Sequence, residues 1–431
     1  MTERFDVITV GAGPSGCVAA YLLAKEGLDV LVIERGEYPG AKNVSGAVLY
    51  RKALDDILPN FWDNAPIERY INRQVVTFLS KRSSVSLDFK NLDYAQTPYN
   101  AFTVLRGRFD QWLAKKAEES GALIMNDTLV EDLLWENGKV VGARVGKEEG
   151  DVLADVVIIA DGANSLLAEK AKLRRPLSPE NMALGVKELL KLPKEVIERR
   201  FNLVGNEGVA YTFVGEATQG LEGGAFLYTN EDSLSIGVVC TLSGLIREKK
   251  EPASLIEFFK ADPMIKGWLD GAILKEYSAH LIPEGGIHMM PKLLSDGILI
   301  IGDAAGFTLN TGLTLRGMDF AIASGVMAAK AVMKAKEKGD FSKSSLSAYQ
   351  RFLEDSFVLK DLRTYKNAPN LLRKNSIYTV YPKMICDLAE RVYTVDENPK
   401  KKLLKLVLDE VKEKTTIRQF LKDLFDGGRS I

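Results

Sequence analysis

Phe5-Asp6-Val7-Ile8-Thr9-Val10-Gly11-Ala12-Gly13-Pro14-Ser15-Gly16 decides the fold. An apolar run of strand length feeds a GxGxxG turn, and Ala19-Ala20-Tyr21-Leu22-Leu23-Ala24 continues it as a helix. Val30-Leu31-Val32-Ile33-Glu34 then reads as a second strand, which completes a βαβ unit. In such a unit Gly11 permits the tight turn, Gly13 lets a pyrophosphate approach the backbone, and Gly16 allows close helix–strand packing. Ala12, Pro14 and Ser15 complete the turn, and the helix N-terminus behind it favours the phosphate charge. Glu34 follows about 20 residues on, where an acidic side chain takes a ribose hydroxyl pair. The stretch therefore predicts dinucleotide binding.

Two later turns select the dinucleotide by resemblance. Ile159-Ala160-Asp161-Gly162-Ala163-Asn164-Ser165 resembles the second fingerprint of the glutathione-reductase-type FAD fold, and Ile301-Gly302-Asp303-Ala304-Ala305-Gly306 resembles its third. Together they imply FAD in a Rossmann-type α/β domain. The resemblance gives Asp303 the ribityl chain of the flavin and points the N-terminus of the next helix, about Asp319 to Lys336, at the isoalloxazine. Arg108 matches the arginine that similar flavoproteins place near the cofactor. Arg35, Ser45, Gly46, Val130, Asp161, Gly162, Gly302 and Gly312 are further cofactor candidates, Val130 near the adenine. No second GxGxxG follows a strand, so no separate nicotinamide site is expected.

Around these turns the chain divides. Residues 1–75, 100–175 and 278–341 are expected to form the FAD domain. Short alternating stretches in 76–99 and 176–277, such as Gly223–Tyr228, predict an inserted antiparallel β domain. Residues 342–431 read as a helical C-terminal region with 18 Lys and Arg against 12 Asp and Glu. Asn398-Pro399 predicts a helix start there, and Leu403, Leu404, Val407, Leu408 and Val411 an apolar stripe packing on the body.

Composition excludes several classes. The 431 residues carry 57 basic and 58 acidic side chains, which argues against nucleic acid as a partner. Cys17, Cys240 and Cys386 are too few and too scattered to ligate an iron–sulfur cluster, which usually takes four thiolates. His280 and His288 are read as structural or solvated, with no metal site. The start of the chain goes directly into a strand pattern and no apolar run approaches the ~20 residues of a membrane span, so a cytoplasmic protein is expected. The basic tail is a candidate for peripheral contact with the inner face of the cytoplasmic membrane or for docking a partner protein, and the sequence does not separate the two.

With the three turns placed, the chain resembles the electron-transfer-flavoprotein:quinone oxidoreductases, FixC branch. Gly40 to Leu49, His280-Leu281-Ile282-Pro283-Glu284-Gly285-Gly286 with Pro291, and Gly302 through Arg316-Gly317 to Gly325 carry the likeness. It implies electrons passing from an electron-transfer flavoprotein through FAD to a quinone, with a small ferredoxin-like iron–sulfur protein supplying the cluster in trans. Electron bifurcation in a multi-subunit complex is the implied physiology. Gly223 and Gly224 stand where the family's quinone head group meets backbone; a plain β-turn reads equally well there. Pro283 and Met318 depart from the asparagine and threonine of the single-chain members. No catalytic acid, base or nucleophile is nominated. The rivals are a geranylgeranyl-type prenyl reductase, disfavoured by Phe226-Leu227-Tyr228-Thr229, and a flavin-containing scaffold subunit that docks electron-transfer partners.

Overall fold

Continuous Val/Ile/Leu runs belong to strands covered on both faces, and the chain places its own at the centre of a parallel sheet. A computed structural model describes residues 3–43, 47–146 and 150–431. Ile298–Ile300, Asp151–Ile159, Arg4–Val10, Val30–Ile33 and Leu123–Met125 lie side by side and parallel. Val10 sits level with both Ile33 and Ile159, and Ile159 with Ile300, so four strands end together. The hairpin Val130–Glu136 and Lys139–Val145 continues this sheet. The helix Pro14–Lys25, with proline at its first position, and the 20-residue helix Met318–Glu337 pack on each other beside it.

The second sheet has nine strands. It runs Ile273–Pro283, Met182–Lys191, Ser233–Thr241, Gly223–Thr229, Glu207–Gly215, Ile67–Leu79, Ala101–Val104, Ala47–Tyr50, with Ser84–Lys90 paired to Ile67–Leu79. Its pairs are antiparallel except Glu207–Gly215 against Ile67–Leu79. The sheet therefore recruits residues 47–50, 67–75 and 101–104, which the boundaries expected from sequence place in the cofactor domain. Glu207–Gly215 pairs with a strand about 136 residues earlier, and a partner so distant leaves no local signal.

Period-two alternation gives this sheet two different faces. Val186, Leu190, Tyr211, Phe213, Ala225, Leu227, Ile236 and Val238 face a second core beneath the helices Lys194–Phe201 and Pro252–Ala261. The alternate residues face the parallel sheet's strand ends.

Beyond residue 341 the helices Ala348–Asp355 and Phe357–Thr364 bury Tyr349, Leu353, Val358, Leu359 and Leu362 in the core of the parallel-sheet body. The Tyr349 hydroxyl donates to the Ile300 carbonyl at 3.0 Å. The helix expected from Pro399 begins instead at Leu403. Asn398 donates both its backbone N–H and its side-chain amide N–H to Asp396, which ties the expected capping side chain back toward residue 396. Lys400, Lys401 and Lys402 would also set three cations at the positive end of the helix dipole. The expected stripe packs only in part: Val411 is buried and Val407 half-buried, but Leu403, Leu404 and Leu408 are exposed, while Leu406 and Glu410 are buried instead. Arg391 holds Glu410 at 2.6 Å and so turns that face toward the helix Ser376–Tyr393. Among the described residues no helix is long and apolar enough to cross a membrane.

Candidate functional site: a dinucleotide cavity between two sheets

Ligands in open parallel sheets bind beyond the carboxyl ends of the strands. Here Val10-Gly11, Ile33-Glu34, Ala160-Asp161 and Asp303 all come from such ends and line one cavity of about 680 Å³. That volume lies within the range of ligand pockets.

The first turn has the geometry of a phosphate cradle. Gly11 has φ +105°, and a Cβ there would stand 2.4 Å from the Ala160 carbonyl oxygen. Gly13 is the reverse case: its φ is −76°, and a Cβ there would meet nothing within 4 Å. The backbone is thus left bare toward open space at the start of the Pro14–Lys25 helix, where N–H groups and the helix dipole favour an anion. Glu34 is held by the Ala12 N–H at 2.9 Å and the Gly36 N–H at 2.7 Å. These bonds fix the carboxylate at the rim, with Arg35 and Val130 beside it in the lining.

The second turn places Asp161 and Gly162 in the wall. Asp161 keeps a buried Oδ1 without a hydrogen-bond partner, and burial pushes its carboxyl up to about 6. At the third turn burial raises Asp303, while Arg106 and Lys187 oppose the shift. Gly317, Met318 and Ala321, at the start of the Met318–Glu337 helix, also line the cavity, so the positive end of that helix faces it. Arg316 at the same corner binds Asp319 and Asp361 and lies over Phe320 and Phe357. A bare cradle, an unpartnered carboxylate oxygen and a facing helix terminus together fit FAD.

The remaining candidates divide. Ala12 and Gly16 lie behind the cradle, Ala12 through its N–H on Glu34 and Gly16 against Gly11. Gly302 adjoins Asp303 and packs against Ser15. Gly312 faces Leu372 rather than the cavity. Ser45 and Gly46 lie outside the described residues. Arg108 is 69% exposed, and its nearest carboxylate is Glu68, at 3.6 Å. Arg106 lines the cavity in its place, with a two-point bond to the buried Asp110. The residues two apart point to opposite sides of the Arg106–Glu119 helix. The buried stripe Phe109, Asp110, Leu113 and Ala117 includes Arg106 at helical spacing, a signal that the sequence offered.

Gly223 and Gly224 do not reach the cavity. A Cβ on Gly223 would stand 2.0 Å from the Val239 carbonyl oxygen, and one on Gly224 would stand 2.8 Å from that of Phe213. Their glycines answer to neighbouring strands. The cavity floor comes instead from the alternate residues Lys187, Phe226, Tyr228, Val239, Ser278, His280 and Ile282 of the second sheet. Phe226 and Tyr228 stack with ring centres 4.8 Å apart. Gly237, opposite Phe226, makes room for that ring, because a Cβ would come within 2.4 Å of it. Burial holds His280 down at about 4, neutral at pH 7, and Lys187, Arg106 and Arg35 push the same way. The exposed His288 reaches the Lys366 carbonyl instead.

Thiol chemistry is not available at this site. Cys17, Cys240 and Cys386 are buried, and burial raises Cys17 far above the usual thiol range and Cys240 to about 12. Among the described residues no cluster of His, Cys, Asp or Glu could hold a metal ion.

Comparison with known proteins agrees with this geometry. A model for an FAD binding domain matches residues 4–196, and one for the ETF-QO/FixC family C-terminal domain matches residues 368–431. The chain is 43% identical over 430 residues to "Probable electron transfer flavoprotein-quinone oxidoreductase YdiS" of Escherichia coli K12, covering 100% of this chain and 99% of that one. It is 46% identical over 407 residues to Protein FixC of the same organism, covering 94% of each, and 39% identical over 424 residues to Protein FixC of Bradyrhizobium diazoefficiens, covering 97% of this chain and 95% of that one. Among solved structures, a geranylgeranyl bacteriochlorophyll reductase-like protein from Thermoplasma acidophilum superposes with a TM-score of 0.74 at 22% identity, covering 99% of this chain and all of that one. The myxobacterial halogenase CndH gives 0.65 at 18%, covering 99% and 91%. At those identities the likeness shows the fold alone. The chain belongs to the ETF-QO/FixC family, and it is an FAD-dependent oxidoreductase.

Proposed function

We propose that this chain takes electrons from an electron-transfer flavoprotein and delivers them to a quinone, as one subunit of a complex whose iron–sulfur cluster sits on a separate ferredoxin-like protein. One observation carries the reading: the cavity lined by the dinucleotide turns has a floor where Phe226, Tyr228, Val239 and Ile282 stand beside Lys187, Ser278 and His280. FAD bound there supplies the redox chemistry, accepting and releasing an electron pair. The chain's own part is position, charge and exclusion of water. Stacked aromatic rings beside aliphatic side chains suit a flat, largely apolar acceptor, which displaces water from those side chains. The acceptor site is thus assigned to Phe226 and Tyr228, two residues beyond the glycines that resemblance suggested.

Three scattered cysteines are consistent with a cluster held in trans, and the C-terminal region offers a place for the protein that carries it. The helix Ile417–Ser430 is turned inside out: Asp423 is buried, bonded to Lys374 at 2.8 Å and to the Tyr381 hydroxyl, whereas Leu421, Leu424 and Phe425 are more than half exposed. An apolar face within a region of net positive charge fits a small partner whose own apolar patch is rimmed by acidic side chains. We assign that face to the ferredoxin-like subunit, and division of electron pairs between a low-potential ferredoxin and the quinone to the assembled complex.

The test is anaerobic. The FAD-loaded chain is mixed with reduced electron-transfer flavoprotein, its flavin absorbance is followed, and a menaquinone analogue is then added. Bleaching followed by quinone-dependent recovery is expected. A flavin inert to both, yet reoxidised by a prenyl lipid, overturns the proposal in favour of prenyl reduction.

A further inference from the structure

Apart from the exposed Lys275, basic side chains on or packed against the second sheet are otherwise matched by acceptors. Lys260 grips the buried Glu188 at 2.8 Å, Arg73 holds Asp88, Lys90 meets Glu207 at 2.7 Å, and the fully buried Arg69 spends its guanidinium on the carbonyls of Gly205, Glu207, Asn230 and Glu231. Lys187 is the exception. It sits mid-strand in Met182–Lys191, opposite Gly237 on one side and Ser278 on the other, and lines the cavity floor. Among the described residues no hydrogen bond or ion pair is found for its ammonium, whose nearest aromatic neighbour is the Phe226 ring at 6.0 Å. Its neighbours Gly185 and Gly237 carry no side chain of their own, and the Phe226 ring lies over Gly237.

A lysine desolvated without a counter-ion is costly to keep charged. Burial and the nearby Arg106 pull Lys187 down to about 8, with Asp303 as the opposing charge. At pH 7 it still carries its proton. The cavity floor thus presents a positive charge with no protein partner, beside the acid of the third turn, on the wall that faces the strand ends of the dinucleotide site. The half-buried His280 two strand positions along is neutral and cannot replace it.

We infer that Lys187 is the residue that compensates the negative charge of the reduced flavin, an unpaired ammonium whose counter-ion arrives only with the electrons. The balance is simple. The oxidised ring is neutral; uptake of two electrons from the external donor and one proton from solvent leaves one negative charge on it, and the ammonium keeps its own proton throughout. An opposing charge at that moment raises the flavin's affinity for electrons, because the oxidised state gains nothing from it. The same charge favours sulfite addition to the oxidised ring, which also leaves the ring anionic. This role rests on FAD occupying the cavity and is independent of which acceptor follows.

The experiment uses the FAD-loaded chain as wild type, Lys187→Met and Lys187→Arg. FAD content is measured first, then the sulfite dissociation constant from bleaching of the flavin band, then the two-electron potential against a reference dye. Methionine keeps the length and apolar stem, so the fold and FAD content are expected to hold. Lys187→Met is expected to bind sulfite at least tenfold more weakly and to lower the potential by about 30 mV for each tenfold change in the equilibrium. Lys187→Arg, which restores the charge, is expected to stay within threefold of wild type. A general packing role would not separate the two variants. A Lys187→Met protein that holds FAD with wild-type sulfite affinity and potential overturns the inference. As a second measurement, wild-type chain with and without FAD is treated with an amine-acylating reagent at pH 8 and mapped by mass spectrometry. Lys187 is expected to react in the FAD-free chain and to be protected by FAD; equal reaction in both overturns it. A wild-type chain that takes up no FAD fails the cofactor site itself, and the first measurement identifies that outcome.

Discussion

Gly11 and Gly13 are two residues apart in one turn, yet alanine should do opposite things at them. At Gly11 φ is +105°, where an L residue is strained by about 1–3 kcal/mol. The new methyl would also stand 2.4 Å from the Ala160 carbonyl oxygen, and relieving such overpacking costs about 1–3 kcal/mol more. Gly11→Ala should therefore lose about 2–6 kcal/mol of folding stability. With an unfolding entropy of about 2.1 cal/mol/K per residue over 431 residues, that is a fall in Tm of about 2–7 °C. At Gly13 φ is −76° and ψ 178°, open to any residue, and nothing lies within 4 Å of the new methyl. The reduced freedom of the unfolded chain stabilises by about 0.4–1 kcal/mol, and alanine's poorer helix-capping offsets it by a similar amount. Gly13→Ala should leave the FAD-free Tm within about 1 °C of wild type. Its methyl occupies the space a pyrophosphate needs, so FAD affinity should fall at least tenfold, or about 1.4 kcal/mol. Thermal melts of FAD-free protein, with FAD titrations followed by quenching of flavin fluorescence, separate the two effects. If Gly13→Ala melts as early as Gly11→Ala, or binds FAD as wild type does, the open space beside Gly13 is not the phosphate cradle.

Three further outcomes are expected. Arg106→Leu should cost about 3–5 kcal/mol, because it strands the buried Asp110, whereas Arg108→Leu should cost less than about 1 kcal/mol; denaturant midpoints decide which arginine the site depends on. His280 is held at about 4 in the folded chain against about 6.5 unfolded, so stability it leaves intact at pH 7.5 is lost as pH falls from 6.5 toward 4. Discounted for partial exposure, wild type should lose roughly 2 kcal/mol between pH 7.5 and 4.5 that His280→Asn does not, as urea melts at both pH values would show; Asp161, raised to about 6, shifts both proteins equally. Leu421→Glu combined with Phe425→Glu should release the ferredoxin-like subunit in co-purification and leave FAD content and Tm unchanged; loss of binding to phosphatidylglycerol vesicles with the subunit retained would assign that face to a membrane instead.

What the sequence disclosed depended on how local the determinant was. Each phosphate or ribityl turn is a few consecutive residues whose glycines and acid carry their own geometry, so Gly11, Asp161 and Asp303 could be placed at strand ends before any contact was known. The parallel strands announced themselves as unbroken apolar runs because both faces are covered. Arg106 was legible and passed over: it shares the buried stripe with Phe109 and Leu113, whereas Arg108 does not. The floor was beyond reach. That Lys187, Phe226 and His280 share one face depends on the register of strands 39 to 93 residues apart, and register is fixed by long-range pairing rather than by any short pattern. The final helices failed for another reason. Amphipathic pattern predicts that an apolar face exists, not that it is covered, and Asp423 with Lys374 and Tyr381 draws the polar face inward instead.

The two sheets make different contributions to one cavity, and the difference follows from their topology. Parallel strands end together with turns and helix starts at the same edge, so that edge gathers backbone N–H groups and helix termini suited to phosphates and to a developing negative charge. A largely antiparallel sheet has no such edge. It offers a face, and alternate positions on a face can be set one at a time: aromatic at 226 and 228, glycine at 185 and 237, lysine at 187. The first sheet can therefore hold the invariant part of a flavin dinucleotide, while the second tunes what the ring encounters. Substitutions at the turns should act on cofactor retention, and substitutions on the floor should act on potential and acceptor with FAD still bound. Gly237→Ala tests that division, since its methyl would press within 2.4 Å of the Phe226 ring. It should keep FAD at full occupancy and raise the acceptor's KM severalfold; loss of FAD with no change in KM would show that the floor supports the cofactor rather than the acceptor.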